Sequence, residues 1–196
     1  MMEILQPGLL TSVQDLGRPG HRRLGVNPGG ALNPLALSTA NLLVGNDINA
    51  AGLEITMGAC ELRFTIDTRI ALGGDDFDAR IDDKPLAPYW STPVRAGQTL
   101  RLAHAGRGGA QGMRTYLAVA GGIDVPVILG SRSTDLKAGF GGHQGRALRK
   151  GDCLPLGDAG VKATGPAFGV RSPQWSGLSA QPNDSSKLIT LRVLPG

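Results

Sequence analysis

Every apolar run in this chain is short, and glycine or proline punctuates it. The longest, 116–120 and 125–129, stop at Gly121-Gly122 and Gly130, and Pro126 interrupts the second. A membrane helix needs roughly 18 consecutive apolar residues, so no run here supplies one. Long buried helices are disfavoured by the same punctuation, and short strands joined by tight turns are favoured. The chain holds 30 glycines and 13 prolines in 196 residues, which is turn-rich yet below the roughly 25–30% that marks low complexity. With 41% hydrophobic and only 18% charged residues, it has the makings of a packed core. The expected class is mainly β with one or two helices.

One helix is legible. Asn33 is a good N-cap, Pro34 suits the first helical position, and Leu35, Leu37, Leu42 and Leu43 form an apolar stripe that Gly45 closes. Strand character is expected at 53–57, 60–66, 69–72, 77–81, 98–103 and 114–120, a spacing that suits a barrel or sandwich. From Gly130 to Gly151 the chain is polar and glycine-rich without a period, and a loop of that length in a compact domain draws functional suspicion. The stretch 158–186 shifts to Gly, Ala, Ser and Pro and reads as a linker. The segment 187–193 (KLITLRV) reads as a strand without a local partner.

Several function classes recede on composition and spacing. Glu3 and Pro7 near the N-terminus, with no basic n-region, argue against a signal peptide. Cys60 and Cys153 form no CxxC pattern, so neither a cysteine zinc site nor a disulfide framework is expected, and a reducing cytoplasm is the default. The net charge of +4 is concentrated only at Arg18, His21, Arg22 and Arg23, with no aromatic residue nearby, so nucleic-acid binding is not expected. His21, His104 and His143 show no HExxH or His-x-His spacing, and no metal site is read. The glycine runs 106–112 and 139–145 lack the Walker and dinucleotide spacings and read as turns.

Two segments are richer in chemistry than structure alone requires. Residues 11–20 (TSVQDLGRPG) and 130–137 (GSRSTDLK) collect hydroxyls, an amide, carboxylates and arginines. Such a set suits a small anionic or amide-bearing ligand, because an arginine fork meets a carboxylate and an amide reads donors and acceptors. Local capping and turn bonding by Ser, Thr and Asp would account for the same residues.

The order of four long motifs is more specific. TSVQDLGRPGHRRLGV, GGALNPLALSTANLLVGN, LEITMGACELRF and YLAVAGGIDVPVILGSRSTDLKAGFGGHQGRALRKGD together resemble the allophanate-hydrolase-subunit-2 family of biotin-dependent carboxyltransferase-like proteins. That family includes the C subunit of the bacterial ATP-dependent 5-oxoprolinase, an antagonist of a sporulation-kinase inhibitor, and half of the carboxyltransferase domain of urea carboxylase. The resemblance implies a cyclophilin-like β-barrel unit over 1–157, incomplete at the C-terminus, with 187–196 as the first strand of a missing second unit. It implies a component acting with B and A subunits, in complex with ATP and Mg, to activate and open 5-oxoproline to L-glutamate. Two alternatives stay open: carboxyl transfer from biotin on a separate carrier to urea or another amide, and a non-enzymatic antagonist of a kinase inhibitor resembling the B subunit. Carried over by motif, Asp15, Asp135 and Glu54 are the expected catalytic residues, and Gln14, Gly17, Arg18, Asn41, Ser131 and Thr134 the expected substrate-binding ones. Family members often carry Asp where this chain has Asn33, which caps a helix as well as Asp does.

Overall fold

The computed structural model describes residues 1–103, 113–160 and 163–171. The glycine run at 106–112, His104 and the strand expected at 187–193 lie outside the described residues.

The described chain is mostly β with one α-helix. Its strands are β1 (Met2–Pro7), β2 (Leu10–Gln14), β3 (Gly52–Thr56), β4 (Cys60–Phe64), β5 (Thr68–Gly74), β6 (Arg80–Ile81), β7 (Lys84–Pro85), β8 (Trp90–Val94), β9 (Thr99–Arg101), β10 (Arg114–Val119), β11 (Cys153–Leu154) and β12 (Phe168–Gly169). They form two antiparallel sheets, ordered β11-β1-β4-β9-β6-β7 and β12-β8-β5-β10-β3-β2. No hydrogen-bonded ladder joins the two among the described residues, so the expected barrel takes the form of two packed sheets.

Period-two alternation builds the core. Met2, Ile4, Leu62, Phe64 and Leu100 face inward from the first sheet, and Val13, Leu53, Ile55, Ile70, Leu72, Leu117 and Val119 from the second, all in one buried cluster. The outer face of the second sheet carries α1 (Pro34–Leu43). Asn33 caps it, its Oδ1 accepting from the Ala36 N–H at 3.1 Å, and Gly45 follows it with φ +76°. Ala40, Leu43 and Val44 pack on Ala71, Ala118 and Ala120, small residues that let the helix sit close. At Gly52 a Cβ would fall 2.8 Å from Leu37 Cδ1 and 2.6 Å from the Leu117 carbonyl.

The strand expected at 77–81 is shortened, and β8 is a strand outside those expected. Of 77–81 only Arg80 and Ile81 pair, because Asp78 adopts φ +47° in a turn closed by Asp76, while Phe77 is a fully buried plug. Strand β8 carries Pro93, which cannot donate to a ladder. It is tolerated because β12 pairs only with Trp90 and Ser91, leaving Pro93 at an edge.

Candidate active site

The suspected loop is a folded part of the sheet's rim. Thr134 N and Oγ1 both donate to the Val13 carbonyl at 2.9 Å, and Leu148 N donates to the Thr11 carbonyl at 2.8 Å. The loop thereby covers the outer edge of β2, which would otherwise present unpaired backbone groups.

Asp15, just past the end of β2, ties the two chemistry-rich segments together. Its Oδ1 accepts from Gly17 N at 2.7 Å, from Ser131 Oγ at 2.7 Å and from Ser133 Oγ; its Oδ2 accepts from Arg132 N at 2.6 Å. The carboxylate is 2% exposed and its four donors compensate its lost hydration. Ser133 Oγ also accepts from the Asp15 N–H at 3.0 Å, so hydroxyl and carboxylate are locked in both directions. A carboxylate bound and buried this way positions its surroundings. Gly17 is obligatory beside it: at φ +89° a Cβ would sit 2.6 Å from the Pro28 carbonyl.

Arg18 lies beneath this knot, 1% exposed. Its Nη2 donates to the Ser133 carbonyl, its Nε to the Ile128 carbonyl at 3.4 Å, and its guanidinium stacks 4.7 Å from the Phe140 ring centre. Nη1 has no hydrogen-bond partner among the described residues. In this conformation the guanidinium is closed off from solvent between Phe140 and the Ile128 and Ser133 carbonyls. Gln14 donates to Ser12 Oγ at 3.0 Å and to the Thr134 carbonyl at 3.2 Å. Asp135 caps its own turn, accepting from Lys137 N and Ala138 N at 3.1 and 3.0 Å.

Seven of the nine expected residues therefore meet in one place: Gln14, Asp15, Gly17, Arg18, Ser131, Thr134 and Asp135. Asn41 and Glu54 do not join them. Asn41, fully buried in α1, donates to the Ala50 carbonyl at 2.8 Å and accepts from Asn46, which fixes the turn after the helix. Glu54 stands opposite Ser12 on the outer sheet face, bound to Arg114 Nε at 3.2 Å, Tyr116 Oη at 3.0 Å and Leu32 N at 2.8 Å. Burial, with the Glu54 carboxylate beside it, raises the Tyr116 hydroxyl above its ordinary value.

The knot supports a cleft. Residues 139–145 turn back on the 131–135 segment through Gly139, Gly141, Gly142 and Gly145, all at positive φ. Asp135 N donates to the Phe140 carbonyl at 2.9 Å and Gly142 N to the Arg132 carbonyl at 3.1 Å. The far side of this turn lines a cavity of about 450 Å³, walled by Val125, Pro126, Ile128, Phe140 and Pro155, with Asp124, His143 and Gln144 among its polar lining. His143 Nε2 lies 3.5 Å from Asp152. Two hydrogen bonds from Arg146 hold the Asp152 carboxyl down at about 2. Mostly apolar walls with a few convergent polar groups are the ordinary make-up of a small-molecule site.

The structure adds Phe140 and His143, which the sequence alone does not single out as site residues, and gives Arg132 and Ser133 of the 130–137 segment their partner in Asp15. For Phe140 and His143 the sequence holds one signal, an aromatic ring and an imidazole inside a run otherwise made of glycine and Gln144.

The chain as a whole is similar to known proteins. Residues 24–196 match the family model described as carboxyltransferase domain, subdomain A and B. The chain is 48% identical over 175 residues to the 5-oxoprolinase C subunit of Escherichia coli, covering 89% of this chain and 55% of that protein. It is 42% identical over 154 residues to the protein of the same name in Haemophilus influenzae, covering 79% of this chain and 48% of that protein. The chain thus spans about half the length of these curated relatives. The crystal structure of Kluyveromyces lactis urea carboxylase superposes with a TM-score of 0.74 at 39% identity, over 79% of this chain and 14% of that one.

Proposed function

The chain belongs to the carboxyltransferase domain family, and from that premise we propose that it serves as a C-type subunit of a 5-oxoprolinase, acting with B and A subunits to open 5-oxoproline to L-glutamate. The observation that carries this reading is the 48% identity to a protein named as the C subunit of 5-oxoprolinase, over 89% of the chain. The geometry is compatible with it: the cleft beside the Asp15 knot has room for a five-membered lactam and offers flat apolar walls for its ring.

In this reading Asp15 is a positioning residue. It fixes Ser131, Arg132 and Ser133, and through them the glycine turn that carries Phe140 and His143. Phe140 receives the lactam ring on the face turned away from Arg18. His143, held toward Asp152, is the cleft's imidazole, able to donate a hydrogen bond to the lactam amide or accept one from it.

A five-membered lactam is a stable amide, and phosphorylation of its oxygen creates a carbon that water can attack. The described cleft does not fit a triphosphate: its lining holds no Lys, Arg, Ser or Thr, and Asp124 puts a carboxylate among its polar groups. We therefore assign ATP with Mg to the partner subunits. Reconstitution tests the reading: the chain is combined with candidate B and A subunits, and glutamate release from 5-oxoproline is followed. Release that needs ATP and all three components supports it; no release from a stable assembly overturns it.

The likeness to urea carboxylase favours a second reading, carboxyl transfer from biotin on a separate carrier to an amide. Biotin-dependent turnover of the same assembly, without glutamate release, would select it.

A further inference from the structure

A second cleft, of about 510 Å³, opens at the other end of the outer sheet face, between the start of α1 and the adjoining ends of β5 and β10. Leu32, Pro34, Met113 and the Tyr116 ring wall it. Leu32 and Met113, 68% and 58% exposed, give the cleft an apolar rim beside its charged groups.

Arg114 and Asp75 both line this cleft, and each is only half used. Arg114 Nε is held by Glu54 Oε1 at 3.2 Å, while its Nη1 and Nη2 donate to no described residue. Asp75 Oδ2 accepts from the Arg114 N–H at 3.0 Å, and its Oδ1 accepts from no described residue. Glu54 is fully committed, because Leu32 N and Tyr116 Oη take its second oxygen and Tyr116 Oη in turn accepts from Asn33 N at 2.8 Å. The cleft therefore presents a fixed guanidinium fork beside an open carboxylate oxygen. Glu54 offsets part of the Arg114 charge, so a lone anion would meet repulsion from Asp75, and a lone cation would leave the free Nη1 and Nη2 of Arg114 without an acceptor. A molecule carrying both charges on neighbouring atoms satisfies each with its opposite.

We infer that this cleft binds a free α-amino acid with an apolar side chain, its carboxylate on the Arg114 fork, its ammonium on Asp75 and its side chain against Leu32 and Met113. The inference stands apart from the proposed reaction, since it concerns different residues at the opposite end of the sheet.

Calorimetric titration of the chain tests it with three probes of matched carbon skeleton: L-leucine, 4-methylpentanoate, which lacks the ammonium, and isoamylamine, which lacks the carboxylate. The expected result is saturable binding of L-leucine, with each truncated probe weaker by about tenfold or more. Asp75→Asn should weaken L-leucine similarly and leave 4-methylpentanoate no worse. Equal binding of either truncated probe would overturn the inference in favour of a single-charge site. Absence of saturable heat for L-leucine at millimolar concentration would overturn it outright. The probe series needs no variant, so a folding defect in Asp75→Asn leaves the test intact.

Discussion

Replacing Asp15 by Asn isolates the role assigned to the buried carboxylate. One side-chain oxygen remains for Gly17 N, Ser131 Oγ and Ser133 Oγ, but the new amide group faces Arg132 N where Oδ2 accepted at 2.6 Å. Arg132 N is then orphaned against another donor, which costs about 1–3 kcal/mol. The three remaining bonds lose their charge assistance, worth about 0.5 kcal/mol each if charged bonds are roughly twice as strong as neutral ones. The total is about 3 kcal/mol, and in a domain of this size that lowers the melting temperature by about 6–12 °C. Circular-dichroism melting and urea titration measure it, with an unchanged urea slope as the check that the unfolded states match. Ser133→Ala should cost less, about 1.5–2 kcal/mol, because it removes one donor and strands one N–H. A melting point within about 1 °C of the parent for Asp15→Asn would refute the reasoning. A rise would mean that dehydrating the carboxylate outweighs its four bonds.

Two further outcomes follow from individual groups. Burial pushes the Cys60 thiol up to about 12, whereas Cys153 is exposed. A thiol reagent at mildly alkaline pH should label Cys153 quickly and Cys60 only after denaturation; two rapid equivalents in the folded protein would contradict this. Asp152 titrates at about 2 instead of its ordinary 3.8, because of Arg146. A depressed carboxyl contributes stability that is fully present above its unfolded value and is lost as pH falls through its folded one. Urea midpoints should therefore drop as pH falls from about 4 to about 2, and Asp152→Asn should flatten that slope.

The elements set by neighbouring residues are legible in the chain. Asn33-Pro34 at one end and Gly45 at the other mark α1, and alternation in 114–120 and 60–66 marks strands whose inward residues fill the core. Where one residue defeats a local pattern, reading fails: Pro93 hides β8, and the left-handed Asp78 shortens an expected strand. The site divides the same way. Its polar membership is visible in two segments, but residues more than a hundred positions apart decide what each does. Nothing in TSVQDLGRPG tells that Asp15 is saturated by Ser131, Arg132 and Ser133, or that Arg18 is buried under Phe140. Asn41 and Glu54 carry the right chemistry by type, and the packing of α1 on the sheet gives them other partners.

A lactam seated in the cleft beside the Asp15 knot is the central proposal, and the affinity for 5-oxoproline measures it most directly. In the assembled complex, titration with 5-oxoproline should saturate, and Phe140→Leu, which keeps an apolar wall but removes the flat ring, should weaken binding by about tenfold. Equal affinity for both proteins, with the assembly intact, would contradict the placement of the substrate against Phe140.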